Sequence, residues 1–561
     1  PKTLPCNLSC ALYSEVESMK ISFKEIPGVT SLFLDYLYNF KKVEHFYAFA
    51  PFEESTYQGL FKKLSERAYD RDLLADVLKR QNAFWGNTEY TINSIDLLRK
   101  NSTFVIFTGQ QAGLFGGPLY TLYKAMTAIN LARYLTMTSQ HQFLPMFWIE
   151  GEDHDFAEIQ STYVIDKNND LLKLTYEPKV PFEGGAAGAV LLDEGINDVI
   201  ELYAGSIHNS DFKAEFIKAL RQCYSPGSTM SEAFARWMSY LLGRYGLIIV
   251  DPSDAELKQV ALPVYLRSLE RHQDYINPAL ERAAKSLAEG GYHVQVAHRP
   301  DTLDFFYHKP QRVPIVKNDG KFFIKNTNLV LTEGELVDFI KSNIRNLSPN
   351  VILRPQVQDK LFPTAAYVAG PSEVAYFGQF REVYDAFDNC MPVIYPRKSL
   401  TVLEKRFKKI IEKYRIRIQD VFSSPVSVEK EVLLSFIPEK LKNMMEFLRN
   451  DFYEKITLLE NEASAFEPEL KSVIRNLWKN VEKDLAHAGS KIVSSIERKN
   501  SIIVEQLSKL FINLAPGGAL QERKLNALTY LYKYSHPFIY RLMEVTCCRH
   551  ENNHAIWEVD F

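Results

Sequence analysis

The chain has 561 residues, of which 46% are hydrophobic and 24% are charged, and its net charge is −3 at pH 7. This composition is typical of a globular protein with several domains, and the near balance of charge argues against general binding to nucleic acid or to an anionic membrane. No apolar run reaches the roughly 18 residues that span a bilayer, the first residues lack the apolar core of a signal peptide, and six cysteines are too few for a disulfide framework. We therefore expect a cytoplasmic protein with reduced thiols and with no nucleic-acid or membrane partner.

The order of the predicted elements indicates an α/β core. After a mostly helical first hundred residues, STFVIFTG at 102–109 has the length and the β-rich content of a buried strand. Residues 117–136 predict a helix with Pro118 in its first turn, and residues 143–149 predict a second buried strand. Strand, turn, helix and strand form a βαβ unit, so we expect a parallel sheet that binds ligands at the carboxyl ends of its strands.

Later segments extend this core and interrupt it. Residues 246–254 predict another strand, and residues 350–399 alternate apolar runs with Gly and Pro breaks, which indicates a return of the chain to the sheet. Residues 160–245 and 280–345 are predicted as inserted connecting segments, and an Asp-Gly hairpin is predicted in RVPIVKNDGKFFIKN, within the second of them. The α/β core is therefore predicted to extend over residues 1–397.

The character of the sequence changes after Pro396. Apolar residues step by three and four along three segments, and in the third segment two sets recur every 11 residues. These sets are Leu470, Val481, Ile492 and Ile503, and Ile474, Leu485, Ile496 and Leu507. Because an 11-residue repeat corresponds to about 3.67 residues per turn, we predict a helix of about 45 residues in a nearly straight or faintly right-handed coiled coil. The alternative is an amphipathic helix lying on a globular domain. The predicted helical domain covers residues 398–514, and residues 515–561 are predicted as a helix and tail that pack back on the core.

The segment FTGQQAGLFGGPLYTLYK, residues 107–124, is a glycine-rich turn of unusual composition. It is not a Walker A loop, because proline follows its last glycine and its first lysine, Lys124, lies well inside the predicted helix. Its glycine spacing also differs from the dinucleotide-binding pattern G-x-G-x-x-G. Free N–H groups at a helix start favour anions, and Gln110 and Gln111 add uncharged donors and acceptors. An anion site and a tight turn that needs positive φ are both supported.

An acidic cluster follows the second predicted strand, in EGEDHDFAE at residues 150–158. Its titratable members are Glu150, Glu152, Asp153, His154, Asp155 and Glu158. Such a cluster can bind a divalent metal, orient a histidine as a general base, or hold a substrate amine, and the alternative is a solvated acidic turn that caps the next helix. The functional interpretation is favoured because the cluster ends a strand beside the glycine-rich turn.

A third segment carries a cation and amide groups in LRPQVQDKLFPT. Arg354 suits a carboxylate or phosphate through its planar fork, and Gln356 and Gln358 share one face if the segment is extended. Glu373 and Tyr376 follow a Gly-Pro turn. The alternative is a surface salt bridge beside ordinary turn residues.

A fourth segment, YPRKSLT at residues 395–401, contains Arg397 and Lys398 just before the first predicted coiled-coil helix. These two cations could neutralise a phosphate, and a basic helix start is the alternative.

The C-terminal tail contains two cysteines and two histidines that together could bind zinc. They are Cys547, Cys548, His550 and His554. Their spacing matches no standard zinc motif, so the sequence gives little support to a zinc site.

Four long motifs together resemble one family, the bacillithiol-biosynthesis cysteine-adding enzymes, also named "putative cysteine ligases". Its motifs are TGQQxGLFGGPLYTxYK, FWxxxEDHDFxEI, RPxxQDxxxPTxAYVxGPxExAYFxQ and MPVxxPRxS. This sequence matches them at Thr108–Lys124, Phe147–Ile159, Arg354–Gln379 and Met391–Ser399, and LQER at 520–523 matches a C-terminal stretch. The resemblance covers nearly the whole chain, and residues 160–245 and the Cys-His tail match least.

The resemblance implies a Rossmann-like core similar to nucleotidylyltransferases, with inserted connecting segments, and a C-terminal α-helical coiled coil that forms a homodimer. It also implies the last step of bacillithiol synthesis, in which cysteine is joined to glucosaminyl-malate through an amide bond. A carboxylate does not acylate an amine in water without activation, so ATP is expected, with Mg²⁺. The sequence leaves an adenylate and an acyl phosphate open, and it contains no plain HIGH or KMSKS signature.

From the motifs and the resemblance we predict roles for the site residues. Asp153, His154 and Asp155 are expected to orient the amine or a metal, with His154 as the base that takes the amine proton. The predicted substrate-binding residues are Gln110, Gln111, Arg354, Gln356, Glu373, Tyr376 and Arg397. The predicted nucleotide- or anion-binding residues are Thr108, Gly109, Gly113, Gly116, Gly117 and Lys398. Two alternatives stay open: a nucleotidyltransferase-like enzyme acting on another substrate, and a non-catalytic dimeric scaffold with a vestigial nucleotide fold.

Overall fold

The computed structural model describes residues 18–309, 311–547 and 552–559. In chain order the strands are β1 Ser18–Ser22, β2 Thr103–Gln110, β3 Gln142–Ile149, β4 Ser161–Ile165, β5 Leu171–Thr175, β6 Ile248–Val250, β7 Thr302–His308, β8 Arg312–Asn318, β9 Lys321–Ile324, β10 Val330–Leu331, β11 Leu347–Pro349, β12 Thr364–Ala369, β13 Val393–Pro396, β14 Leu400–Glu404 and β15 Asn553–Val559.

The α-helices outnumber the strands in this part of the chain. They are α1 Ser31–Tyr38, α2 Tyr57–Glu66, α3 Arg71–Phe84, α4 Glu89–Ser94, α5 Leu119–Thr138, α6 Phe156–Ile159, α7 Gly195–Ser206, α8 Lys213–Cys223, α9 Met230–Leu242, α10 Ala255–Arg271, α11 Asn277–Glu289, α12 Glu333–Asn343, α13 Leu353–Leu361, α14 Pro371–Phe377, α15 Arg381–Ala386, α16 Lys405–Tyr414, α17 Ile418–Ser423, α18 Pro425–Ser435, α19 Glu439–Phe466, α20 Leu470–Lys499, α21 Ser501–Leu514, α22 Gln521–Lys524 and α23 Leu528–Val545. None of the described helices combines the length and the apolar character needed to cross a bilayer.

Five parallel strands form the central sheet, in the order β13-β12-β2-β3-β6. Strands β2 and β3 pair from Thr103 and Gln142 to Gln110 and Ile149, and the predicted βαβ unit is confirmed as β2, α5 and β3. Apolar residues of α2 and α5 pack against this sheet in one buried cluster. The chain runs from β2 to β3 and β6 on one side and returns to β12 and β13 on the other. The order therefore reverses between β2 and β12, where open α/β sheets bind ligands.

Two insertions interrupt the central sheet. Between β3 and β6 the chain forms the antiparallel pair β4-β5 and helices α7 to α9. Between β6 and β12 it forms an antiparallel sheet in the order β10-β9-β8-β7-β11. The predicted Asp-Gly hairpin is confirmed as the β8-β9 turn, because Asp319 and Gly320 both have positive φ, as a type I′ turn requires.

The chain forms two compact units, one that extends to Val402 and includes Leu520–Val559, and a second formed by Leu403–Ala519. In the first unit a small sheet in the order β1-β15-β14 joins the early and late parts of the chain. Strands β1 and β15 are antiparallel.

The second unit is helical, and α19 and α20 form an antiparallel hairpin. Arg449 forms an ion pair with Glu482, and Arg475 with Glu460, so the two helices run in opposite directions. The residues that recur every 11 positions in the sequence are buried or half-buried, as expected for the packed face of a coiled coil. The prediction of one continuous helix of about 45 residues is wrong, because α20 ends at Lys499 and α21 begins at Ser501. Asn500 breaks the helix with φ −122° and ψ 37°, and its side chain donates to the Ile496 carbonyl, a bond that competes with the helical backbone.

Candidate active site

A cleft of about 580 Å³ opens at the carboxyl ends of four strands of the central sheet. The first residue after each strand lines it: Gln111 follows β2, Glu150 follows β3, Gly370 follows β12 and Arg397 follows β13. This edge of a parallel sheet, at the reversal of strand order, is where α/β proteins bring their ligand-binding groups together. We therefore take the cleft as the candidate active site.

The two glutamines predicted as site residues both line the cleft. Gln111 donates from Nε2 to an Asp153 carboxylate oxygen at 2.9 Å, and Gln110 donates to the Tyr120 hydroxyl at 3.3 Å. Gly109, just before them, also lines the cleft, and a Cβ at this position would lie 2.9 Å from the Trp148 carbonyl oxygen. Glycine is therefore required where β2 passes β3, and the Gln111–Asp153 bond joins the turns after these strands.

The remaining glycines of the turn do not line the cleft. Gly116 donates its N–H to the Tyr224 hydroxyl at 3.1 Å, and the Asn526 side chain donates to the Gly117 carbonyl at 2.7 Å. The first helical N–H, that of Leu119, donates to the Leu525 carbonyl at 2.8 Å. The predicted use of this helix start as an anion site is wrong for these groups, because protein partners already take them. Positive φ values of 92° at Gly116 and 70° at Gly117 support the tight-turn interpretation instead.

Two other predicted anion-binding residues also lie outside the cleft lining. Gly113 is packed against Gly117, and Thr108 is buried in β2, where its hydroxyl donates to the Val368 carbonyl at 3.0 Å. Their predicted place in an anion site is not supported, because neither group faces the cleft.

Lys124 lines the cleft, although its position inside the helix excluded it as the lysine of a Walker A loop. Its side chain is 2% exposed, and Nζ lies 2.7 Å from a Glu373 carboxylate oxygen. It also donates to the Gly109 carbonyl and, at 3.3 Å, to the Gln110 side-chain oxygen. Lys124 therefore holds the end of β2 and the β12 side of the cleft together.

Glu373 accepts hydrogen bonds from groups on several elements. The Tyr367 hydroxyl donates at 2.9 Å, the Gly370 N–H at 2.8 Å and the Tyr376 hydroxyl at 3.4 Å. Burial would raise the pKa of Glu373, but Lys124 and these donors hold it below its ordinary value. Glu373 and Tyr376 both line the cleft, and this carboxylate is ionised and fully bonded.

Asp153 is held in the cleft by an arginine that the sequence analysis did not select. Arg312 of β8 donates to an Asp153 oxygen at 3.0 Å and lies over the Phe306 ring at 4.0 Å from its centroid. Burial would raise the pKa of Asp153, but Arg312 and the hydrogen bonds from His154 and Gln111 lower it. The second insertion thus brings a cation to the cleft.

The other two predicted catalytic residues lie outside the cleft lining. The His154 side chain is 62% exposed, with Nδ1 3.0 Å from Asp153. Asp155 is exposed, and its carboxylate caps α6 by accepting from the Glu158 N–H at 3.0 Å. The helix-capping alternative is therefore confirmed for Asp155, and the structure does not bring His154 into contact with the cleft.

Arg354 lines the cleft from α13 and faces Glu150. Its Nε lies 3.6 Å from a Glu150 carboxylate oxygen, and its guanidinium lies 5.2 Å from the centroid of the Tyr367 ring. Burial raises the pKa of Glu150 to about 7, although Arg354 acts in the opposite direction. Glu150 is thus a carboxyl whose charge changes near neutral pH.

The prediction for Gln356 is wrong, because the segment is helix α13 and not an extended strand. Gln356 is buried, and its side-chain oxygen accepts from Asn389 at 3.0 Å. Gln358 points to a different partner, since it accepts from Arg354 at 3.2 Å. Gln356 therefore lies away from the cleft, although it is only two residues beyond Arg354 in the same helix.

Arg397 lines the cleft after β13, and a C-terminal residue neutralises it. Its guanidinium donates at 2.7 Å to Glu522, which also accepts from the Ser399 hydroxyl at 2.8 Å. Arg523, the next residue after Glu522, lines the cleft. Lys398 does not line it, and its N–H donates to Thr127 at 3.1 Å.

The tail does not support a zinc site. His554 is buried, and both of its ring nitrogens lie 2.8 Å from hydroxyls, those of Ser399 and Thr401. Burial lowers the pKa of His554 to about 4, so the ring is neutral. Cys548 and His550 lie outside the described residues. Within residues 18–309, 311–547 and 552–559, no group of three or more His, Cys, Asp or Glu is arranged to hold a metal.

Sequence reasoning therefore selected Gln111 and Arg397, which directly follow strands, and placed Glu150 in the acidic cluster without assigning it a role. It missed the residues brought in from elsewhere. Lys124, Arg312 and Arg523 line the cleft without having been selected. The signals that could have found them were the lysine at the end of the first motif, for Lys124, and the isolated C-terminal LQER motif, for Arg523. For Arg312 the strand pattern alone gave no signal.

The fold and the cleft together define a Rossmann-like protein with a charged ligand site where the order of its parallel strands reverses. A family model described as "Bacillithiol biosynthesis BshC, N-terminal Rossmann-like domain" matches residues 16–398, and one described as "Bacillithiol biosynthesis BshC, C-terminal coiled-coil domain" matches residues 400–559. The chain therefore belongs to the BshC family of bacillithiol biosynthesis. The predicted family and fold class are both confirmed.

Relatives named "Putative cysteine ligase BshC" match most of the chain. The protein of Salinibacter ruber is 34% identical, with 90% of this chain and 92% of the relative covered. The protein of Chlorobaculum tepidum is 32% identical, with 86% and 88% covered. Among solved structures, a chain described as a "putative arginyl t-RNA synthetase" from Campylobacter jejuni has a TM-score of 0.24 and 10% identity, covering 85% of this chain and 99% of its own. That score is too low to support an argument.

Proposed function

We propose that the protein is a cysteine ligase that joins cysteine to glucosaminyl-malate through an amide bond, with ATP activating the cysteine carboxylate. The main support is that a member of the BshC family has one cleft at its strand ends lined by both carboxylates and cations. The carboxylates are Glu150, Asp153, Glu158 and Glu373, and the cations are Lys124, Arg312, Arg354, Arg397 and Arg523. Ammonium groups of the substrates suit the former, and malyl carboxylates and phosphates suit the latter.

The distribution of charge in the cleft indicates which cations can bind an anion. Lys124, Arg312 and Arg397 are each committed to a carboxylate at 3.0 Å or less. Arg354 comes no closer than 3.6 Å to the Glu150 carboxylate, and Arg523 has no ion pair among the described residues. We therefore assign the malyl carboxylates or the ATP phosphates to Arg354 and Arg523. Mg²⁺ is expected to arrive with the nucleotide, and an adenylate and an acyl phosphate both remain compatible with this assignment.

The ligase function is tested with the purified full chain, cysteine, glucosaminyl-malate, ATP and Mg²⁺. Bacillithiol is measured by thiol labelling and mass spectrometry, and each component is omitted in turn. We expect product only in the complete mixture. Folded protein that forms no product would favour a nucleotidyltransferase with another substrate, or a scaffold. Product formed without ATP would contradict activation of the cysteine carboxylate by ATP.

We also propose that the protein is a cytoplasmic homodimer formed through its helical unit. The α19–α20 hairpin exposes large apolar side chains, among them Phe447 at 67%, Leu458 at 60% and Phe466 at 85%. Exposed apolar surface of this kind marks a site of interaction with another protein. Light scattering should give twice the 64.6 kDa of one chain, and the mass of a single chain would contradict the dimer.

A further inference from the structure

The proposed amide formation needs a group that removes a proton from the attacking amine. As the nitrogen bonds to the activated carbonyl carbon of cysteine, it must lose one proton, while the leaving group departs with the electron pair of its own bond. A suitable base lies in the cleft, has a carboxylate or imidazole lone pair free to accept, and is shielded from bulk water.

Two cleft carboxylates fail because their oxygens are already used. Glu373 accepts from Lys124, Gly370, Tyr367 and Tyr376. Asp153 accepts from Gln111, from Arg312 and from the His154 N–H. Both carboxylates are stabilised in the ionised form, so each would be a weak base toward an amine.

Two other candidates fail because they lie in solvent. Glu158 is exposed at the edge of the cleft. His154, the base predicted from the sequence, is 62% exposed and lies outside the cleft lining. Exposed groups exchange protons with bulk water, so both residues fail the condition of shielding.

Glu150 meets all three conditions. Its N–H donates to the Gln110 carbonyl at 2.9 Å, which fixes the residue at the end of β3 beside Gln110 and Gln111. Its side chain is 25% exposed and lines the cleft. None of the described residues donates a hydrogen bond to its carboxyl oxygens, and Arg354 approaches only to 3.6 Å. We propose that Glu150 is the general base of this site, a proposal that rests on the ligase function proposed above.

Burial, together with opposing charges around it, places the pKa of Glu150 near neutral pH. Burial raises its pKa to about 7, and Glu152 and Asp153 of the same turn act in the same direction. Arg354 of α13 and Arg312 of β8 oppose them.

Two tyrosines from other elements also interact electrostatically with this carboxyl. They are Tyr265 of α10 and Tyr376 of α14, whose pKa values lie above the ordinary value because both are buried, and the Glu150 charge adds to the effect. Both hydroxyls therefore stay neutral while Glu150 titrates. The ionised Glu150 carboxylate takes the amine proton, and water carries that proton away after the product leaves.

The decisive experiment compares two nucleophiles in the Glu150→Gln variant of the full chain. Both nucleophiles lose one proton from nitrogen as the N–C bond forms and the leaving group departs. Hydroxylamine is a strong nucleophile, is largely unprotonated at neutral pH and can give that proton to water, so it traps activated cysteine as its hydroxamate without a protein base. We expect Glu150→Gln to slow bacillithiol formation at least about 100-fold. Hydroxamate formation should stay within about twofold of the wild-type rate, because activation of cysteine does not need this base.

Three comparisons accompany that measurement. Glu177→Gln makes the same chemical change at an exposed position outside the cleft and should leave both rates unchanged. His154→Gln should slow bacillithiol formation far less than Glu150→Gln. Arg354→Gln should move the acid limb of the wild-type pH profile, expected near pH 7, to higher pH because a cation that lowers the Glu150 pKa is gone.

The outcomes separate this proposal from the proposed function. Wild-type protein that makes neither bacillithiol nor hydroxamate would overturn the ligase function itself. If the wild type makes both, the Glu150 proposal is overturned by normal bacillithiol formation in Glu150→Gln, by equal loss of both products, or by a larger loss in His154→Gln. Should Glu150→Gln fail to fold, an acid limb that does not move in Arg354→Gln would overturn it instead.

Discussion

The two turns that follow β2 and β3 lie side by side at the cleft and are used in opposite ways. Of the residues 109–117 of the glycine-rich turn, only Gly109, Gln110 and Gln111 line the cleft, whereas Gly116 and Gly117 bond to Tyr224 and Asn526. The acidic turn contributes Glu150 and Asp153 to the cleft. The glycine-rich composition therefore indicates packing, whereas the acidic composition indicates chemistry. Neighbouring residues take backbone groups of both turns, including the Gly151 and Asp153 carbonyls of the acidic turn. The two turns differ in their side chains, because only the acidic turn places carboxylates at the cleft.

The acidic turn itself contains a second contrast. Asp153 and Glu150 are three residues apart and line the same cleft, yet the pKa of Asp153 lies below its ordinary value and that of Glu150 lies well above. Arg312 contacts Asp153 at 3.0 Å, whereas Arg354 stays 3.6 Å from Glu150. Partner distance and hydrogen bonding thus divide two carboxylates of one turn into a fixed anion and a titrating group.

The largest expected effect tests the cleft side of the glycine-rich turn. Lys124→Met removes the cation that joins Gly109 and Gln110 to Glu373, and it leaves the largely buried Glu373 carboxylate without a cation. We expect a loss of about 3–5 kcal/mol in the free energy of unfolding, measured by urea denaturation.

The double variant Lys124→Met/Glu373→Gln provides the control. It removes the unpaired charge and should regain most of that stability. A double variant as unstable as Lys124→Met alone would show that the loss comes from packing and not from the charge.

The next effect tests the packed side of the same turn. Asn526→Ala removes donors to the Phe115 and Gly117 carbonyls and should lower the free energy of unfolding by about 2–3 kcal/mol. The activity of the folded protein should stay within about twofold, because Asn526 does not line the cleft. The exposed Asn346→Ala serves as the matched control and should change neither quantity. Strong loss of activity in stable Asn526→Ala protein would mean that the turn has a chemical role after all.

Much of the fold could be predicted because its signals are local. The buried strand β2, the helix α5 after Pro118 and the Asp319-Gly320 turn each depend on a few neighbouring residues. The 11-residue pattern also found the less exposed face of α20 and α21, but it could not show that Asn500 ends one helix and begins the next. Periodicity describes which side is apolar and says little about continuity.

Several site residues that follow strands were predicted, whereas those that distant segments bring to the cleft were missed. Gln110, Gln111 and Asp153 meet because adjacent parallel strands end at one edge. Arg312 reaches Asp153 across 159 residues of sequence, through a sheet inserted between strands of the core. Gln356 failed for a local reason, since a segment treated as extended is helical and turns this side chain toward Asn389.

The smallest expected effect isolates the contrast between Glu150 and Asp153 without measuring activity. Because the pKa of Glu150 is raised from 4.5 to about 7 in the folded protein, the folded state binds more protons than the unfolded state between these pH values. The carboxyl therefore contributes stability at low pH that is lost as the pH rises through about 7. Glutamine does not titrate. The free energy of unfolding of Glu150→Gln minus that of wild type should therefore be about 1–2 kcal/mol larger at pH 8 than at pH 4.5. Urea unfolding at both pH values measures this change, and Glu177→Gln should show none. The same stability difference at both pH values would mean that folding does not raise the pKa of Glu150, and it would contradict the proposed titrating group.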